Sequence, residues 1–176
     1  MQRRKLGRIV TAIVLAAVLT GTIILLLWLR GFFLPSWIEW NKDSRDALPA
    51  GVSEMLGSSW LVQDSLIFDI NGDEADECIL LVWKRGSFGP HRPTWVQHDE
   101  IGFSQHIFIY SDRSGADDTK EDWHAIWMSS KLGLKAADFS EGDEISGTGR
   151  HSLDIIAPDG TVTRWGWLSW GLTRVE

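Results

Sequence analysis

Between residues 69 and 77 the chain reads Asp-Ile-Asn-Gly-Asp-Glu-Ala-Asp-Glu, with oxygen-bearing side chains at the alternate positions Asp69, Asn71 and Asp73. A short loop with that spacing can curl until these three groups converge on one hard cation. The Ala75 carbonyl and the Glu77 carboxylate then stand in place to complete the shell. Calcium takes about six to eight oxygen ligands at about 2.3–2.6 Å, and one loop of this kind supplies them. The same residues serve equally well as an acidic turn in which Asp69 and Asn71 cap backbone amides. An EF-hand register fits worse: its twelfth position falls on Leu80, where a bidentate Glu is needed, and Glu74 stands at the sixth in place of Gly.

With the apolar run that follows it, the segment from about 60 to 83 resembles the FG-GAP and VCBS repeat family. The strands of that family are joined by Asp-x-Asn-Gly-Asp loops followed by an acidic residue and an apolar strand. The resemblance implies a calcium loop with Asp69, Asn71, Asp73 and Glu77 as side-chain ligands, in a module used for adhesion or scaffolding. Two departures limit what carries over. Glu74 stands where the family usually has Gly after the third acidic ligand, and one copy is present where a propeller needs at least four blades. The 118 residues after position 58 cannot supply four blades of about 40 residues each.

The second stretch with chemistry in it is the connection 84–95, which is basic within an acidic chain, rich in glycine and closed by a tryptophan. Its candidate binding residues are Lys84, Arg85, His91, Arg92 and Trp95. Long loops of this composition often carry function, and ordinary connections share the same look. Residues 82–95 together with 104–110 are similar to an outer module of Gram-positive bacteria, sometimes joined to poly-γ-glutamate capsule synthesis proteins. That likeness implies a cell-envelope setting rather than an activity.

His91, His98, Asp99, Glu100 and His106 crowd the neighbouring sequence, but no His pair has the i, i+4 spacing of a helical zinc site. There is no Gly-x-Ser-x-Gly elbow, and the single cysteine, Cys78, lies inside an apolar run where a small core residue is expected. No glycine loop precedes a helix to hold phosphate. With 24 acidic residues some carboxylate pair is always available, which permits a glycosidase without arguing for one. The two function classes left are a binding or scaffolding module and a small envelope hydrolase using carboxylates or histidines near 91–106. A structural subunit of a membrane complex is a third.

These residues need elements to hold them. Runs rich in β-branched and aromatic residues at 59–70, 77–84, 104–110, 123–129, 151–157 and 161–170 predict strands. Residues 79–83 are apolar at every position, which predicts a central strand covered on both faces. Ala157-Pro158-Asp159-Gly160 predicts a tight hairpin turn, and 112–122 a long solvated, mobile connection. After the first 34 residues no long run has helical periodicity. The fold class is mainly β: a single N-terminal transmembrane helix, then a small antiparallel β-meander domain, as a partial propeller, sandwich or barrel-like form. Most of the 11 tryptophans are expected to fill its core.

Residues 9–29 contain no charge and, as a helix, rise about 31 Å, which matches a hydrocarbon layer of about 30 Å. The run is longer than a signal-peptide core and ends in Arg-Gly-Phe-Phe-Leu-Pro without a small-residue cleavage site, so an uncleaved anchor is expected. Arg3, Arg4, Lys5 and Arg8 favour a cytoplasmic N-terminus. The expected organisation is a basic tail at 1–8, the span at 9–30, and an aromatic juxtamembrane segment and linker at 31–58. An extracytoplasmic β domain follows at 59–176. Trp28, Phe32, Phe33, Trp37 and Trp40 gather where the chain leaves the bilayer. Five of the 17 basic residues and none of the acidic ones lie in the first 30, which leaves −12 on the remainder. Such a surface repels phosphate backbones and anionic lipid headgroups and excludes nucleic acid, leaving an envelope protein or polymer as partner.

Overall fold

The computed structural model describes residues 2–41, 44–89, 92–114, 121–168 and 170–175. Its first element is helix α1 (Gln2–Leu29), and the stretch Ile9–Leu29 within it is long and apolar enough to cross a membrane. None of that stretch is buried against the rest of the protein, so nearly all of its apolar surface stays open. In water that surface is costly, at roughly 25 cal/mol per Å².

Beyond the short helix α2 (Ala50–Met55) the chain is all strand and turn: β1 (Leu61–Phe68), β2 (Glu77–Arg85), β3 (Phe103–Asp112) and β4 (Trp123–Met128), then β5 (Asp138–Ile145), β6 (Arg150–Ile156), β7 (Val162–Leu168) and β8 (Gly171–Arg174). They form two four-stranded antiparallel meanders, β1-β2-β3-β4 and β5-β6-β7-β8, each in sequence order. Within each sheet every strand therefore pairs with its neighbour in sequence, the simplest antiparallel order. The sheets do not close into a barrel. They pack on each other around a shared core in which Ile79, Leu81, Ile107 and Ile109 of the first sheet meet Phe139, Leu153, Ile155 and Leu172 of the second.

The alternate residues of β2 and β3, namely Cys78, Leu80, Val82, Phe108 and Tyr110, face the other way. Val52 of α2, with Leu48, Leu56 and Trp60, covers them. Residues 79–83 are thus buried on both faces, as an unbroken apolar run demands. The region expected as a linker is therefore part of the fold: Ile38, Ser44 and Val52 are all buried. Trp37 packs edge-on against Trp83 at 5.8 Å, while Trp40 stays exposed. Cys78 is wholly buried, and its apolar surroundings push the thiol pKa up to about 12.

One polar network fastens the sheets together. The β1 ladder slips between Val62 and Asp64, and the extra residue, Gln63, is fully buried. Its Oε1 accepts from Trp83 Nε1 at 2.7 Å and from Gln105 Nε2 at 2.8 Å, while its Nε2 donates to the Ala137 carbonyl at 2.6 Å. Gln105 in turn accepts from Ala136 N at 2.9 Å and donates to its carbonyl at 2.6 Å. Every hydrogen-bonding group the network buries there finds a partner, which is the condition for a polar core to be tolerated.

Two strands are absent from the sequence expectations. β5 and β8 lie at the two edges of the second sheet, β5 carrying Asp138, Glu141, Asp143 and Glu144 and β8 spanning only four residues. Edge strands are kept short or charged to discourage pairing with other chains, and this removes the apolar signature that marks a strand. The turn at 157–160 forms as its residues require, with Gly160 N donating to the Ala157 carbonyl at 2.9 Å and Gly160 at φ +82°. In the 112–122 connection, residues 115–120 lie outside the described residues.

Candidate functional site

The two candidate loops lie at opposite ends of β2, which spans about 27 Å between them. The acidic loop joins β1 to β2, and the basic connection joins β2 to β3 at the end where α1 leaves off. A cation at the first therefore cannot touch the second.

In the acidic loop Asp69 acts as a cap. Its Oδ1 accepts from Gly72 N at 2.6 Å and Asp73 N at 3.3 Å, and its Oδ2 from Glu74 N at 2.8 Å. Asp73 Oδ1 accepts from Ala75 N at 3.0 Å. The Asn71 amide donates both to Asp73 Oδ2 at 3.0 Å and to Glu77 Oε1 at 2.8 Å, so it fills the space between the two carboxylates. Among the described residues no three His, Cys, Asp or Glu side chains gather closely enough to hold a metal ion. The oxygens have the hard chemistry that calcium takes, but in this geometry the loop satisfies itself, and a cation would have to displace the Asn71 donor. The Arg150 side chain, from the second sheet, passes over Gly72 and donates to the Trp167 carbonyl at 3.1 Å.

Two residues carry the tension of that closure. Glu77 is fully buried, with Oε2 accepting from Ile70 N at 3.2 Å. Burial, together with the negative charge of Asp73 and Asp69, raises its pKa to about 7 against the hydrogen bonds from Ile70 and Ser111. Glu74 has φ +69°, the left-handed region, and no other described non-glycine residue has a positive φ. Glycine adopts that conformation without cost, whereas a residue with a Cβ gives up about 1–2 kcal/mol.

At the other end, the residues expected to bind a partner divide. Lys84 turns inward: it is buried, and its Nζ donates to the Phe88 carbonyl at 2.5 Å and the Arg85 carbonyl at 3.0 Å. Burial lowers its pKa against the opposing pull of Asp99. The sequence cannot reveal this, because a basic residue at a strand end normally faces water. Arg85 is exposed but engaged, its guanidinium 4.2 Å from the Phe32 ring and 4.4 Å from the Phe103 ring, with Nη1 donating to the Ile101 carbonyl at 2.8 Å. Arg92 and Trp95 are open to solvent, Trp95 at 81% exposure, and His91 lies outside the described residues.

Among the described residues the histidines do not assemble a catalytic group. His106 is fully buried, with Nδ1 3.1 Å from the Ser129 carbonyl and Nε2 2.7 Å from Ser104 Oγ. Burial lowers its pKa and favours the neutral ring. His98 is exposed. Asp99 folds back on the loop instead of towards either ring: its Oδ1 accepts from Ser87 N and Glu100 N, both at 2.7 Å. Burial opposes its charge, but these amides and that of Phe88 outweigh burial and hold its pKa below the usual range. Gly86, at φ +92°, leaves the space this carboxylate fills.

The sequence also gives no sign of how the helix end is held. Phe103 N donates to the Gly31 carbonyl at 2.8 Å, and a Cβ on Gly102 would overlap the Arg30 carbonyl. Arg85, Phe32 and Phe103 stack over this joint, and Lys131 pairs with Glu100 at 3.0 Å beside it. The Arg-Gly-Phe-Phe run was the available signal; its partner, Gly102-Phe103, lies about 70 residues away and has no pattern of its own.

No family model, curated protein or solved structure matches the chain.

Proposed function

We propose that this chain is a non-enzymatic, single-pass anchored module of the cell envelope, whose two-sheet domain sits outside the membrane and serves binding or scaffolding. The observation that carries the proposal is the pairing of an apolar helix with no buried residue in Ile9–Leu29 and a bonded joint at its end. The surface of Ile9–Leu29 calls for lipid, and the Gly31–Phe103 bond with the Arg85 stack fixes the domain relative to it. The basic residues before the span favour a cytoplasmic N-terminus. A flexible tether would suffice merely to retain an enzyme near a membrane, whereas a fixed joint suits a part that must present one surface in one orientation. Among the described residues, His98 is exposed and His106 is buried, which supports binding over hydrolysis.

Calcium enters the proposal at the acidic loop, with Asp69, Asn71, Asp73 and Glu77 as the expected ligands. Two features support it. A buried carboxylate with raised pKa beside two further acids gains from a cation, and Glu74 holds the left-handed backbone where the resembled family has glycine.

The anchor is tested by alkaline carbonate extraction of membranes from cells making the full chain. The wild type stays in the pellet. The double variant Leu15→Arg, Leu19→Arg moves to the supernatant, since each arginine at the centre of a span costs about 2.5–3.5 kcal/mol. Release of the wild type would refute the anchor.

A further inference from the structure

The residues at the helix end point to a second membrane contact, made by the β2–β3 connection. We propose that this connection seats on the phospholipid headgroup layer of the bilayer that α1 crosses, with Ile101 entering the outer edge of the apolar layer and Trp95 lying among the headgroups. This rests on the membrane-spanning reading of α1 and names lipid as the partner of the loop expected to bind.

The placement of Ile101 carries the proposal. Ile101 lines an apolar groove with Ile23, Leu26 and Leu27 of α1 and with Arg30 just beyond the helix. All but Arg30 belong to the membrane-crossing stretch Ile9–Leu29, and Ile23 lies about 9 Å along the helix axis from Leu29. A side chain that shares a groove with that part of the helix stands close to the level where the span ends. The loop cannot swing away to avoid this, because Phe103 N is bonded to the Gly31 carbonyl and Gly102 passes directly against Arg30. The backbone on either side of the helix exit is thus held at the bilayer surface by the same joint that orients the domain.

The chemistry of the exposed groups agrees with a lipid partner. Ile101 is 50% exposed and Trp95 81% exposed, with Trp28 and Phe33 also open on the helix and its exit. Tryptophan is the residue that most favours the interfacial layer, with an apolar body and one N–H donor. Arg30 and Lys131 bring positive charge to this end, where Asp99 and Glu100 also lie, and Lys131 is paired with Glu100. The surface beside the helix is therefore apolar at Ile101 with charges of both signs around it, and the more strongly acidic loop is carried to the far end of β2.

The test is depth measurement by site-directed spin labelling of the full chain in phosphatidylcholine–phosphatidylglycerol nanodiscs. Cys78 is buried with its thiol pKa pushed up to about 12, so single labels can be placed elsewhere. Labels at Trp95→Cys, Ile101→Cys, Leu19→Cys and Glu74→Cys are compared for collision with oxygen and with a water-soluble nickel chelate. The substituted side chains are exposed, so folding survives the change. The proposal expects the Ile101 label to approach the oxygen-rich, chelate-poor behaviour of Leu19, the Trp95 label to fall between Leu19 and Glu74, and Glu74 to behave as in water. If Leu19 is in lipid but Ile101 or Trp95 behaves like Glu74, the loop contact is overturned and the anchor stands. If Leu19 itself behaves like Glu74, the anchor reading fails and the loop contact with it.

Discussion

Glu77 sets the pH response of the acidic loop. Its pKa rises from an ordinary carboxylate value to about 7 on folding, so the folded state favours the protonated form. Its contribution to stability is intact below the unfolded pKa of about 4.5 and falls as pH rises towards about 7, staying low above that. The loss amounts to about 3 kcal/mol. Comparing wild type with Glu77→Gln by denaturant unfolding at pH 4.5 and pH 8 isolates it: the variant gains relative stability by that amount at the higher pH. A difference independent of pH would remove Glu77 from the account. A bound calcium ion would reverse the penalty, so calcium should raise the melting temperature more at pH 8 than at pH 5.5, with about 2.7 kcal/mol available at a hundredfold excess over the dissociation constant. Asp69→Ala and Asp73→Ala should abolish the rise; no rise at millimolar calcium in the wild type leaves the segment an acidic turn. Glu74→Gly should stabilise the loop by about 0.5–1 kcal/mol, because glycine relieves the left-handed strain while losing more entropy on folding.

At the scale of elements, the connection β2–β3 is built inward before it is built outward. Lys84 donates to two loop carbonyls from a buried position, so Lys84→Met should cost about 1–3 kcal/mol in unfolding free energy by leaving them without a donor. A residue serving only to bind a partner would leave stability unchanged. The strands of the first sheet were legible because each is rich in β-branched and aromatic residues: residues 79–83 announce a doubly covered strand, and the turn at 157–160 announces itself by Pro, Asp and Gly. β5 and β8 were not, since a charged edge strand reads as a loop. The packed role of 31–58 was hidden for a different reason. Its buried residues, Ile38, Ser44 and Val52, are too few and too widely spaced to show a period, and only the sheet they cover gives them meaning. Among the candidate site residues, the acidic spacing was legible and the inward turn of Lys84 was not.

For the molecule as a whole, the pieces make one object with two ends. Near the helix the chain is apolar with charges of both signs, and the joint of Gly31, Phe32, Arg85 and Phe103 ties the apolar helix to the first sheet. At the far end lies the acidic loop, under Arg150 of the second sheet. The buried Gln63–Gln105 network and the shared core lock the two sheets together, so an orientation imposed at the helix is transmitted across the domain. We propose that this orientation holds in a membrane, with the acidic loop outside the cell and the N-terminus inside. The most direct measurement is labelling of single cysteines, at Glu74→Cys and at Gln2→Cys, by a membrane-impermeant maleimide on intact spheroplasts and again after permeabilisation. The account predicts that Glu74→Cys labels in intact spheroplasts and Gln2→Cys only after permeabilisation. Labelling of Gln2→Cys in intact spheroplasts, or protection of Glu74→Cys until they are opened, would contradict it.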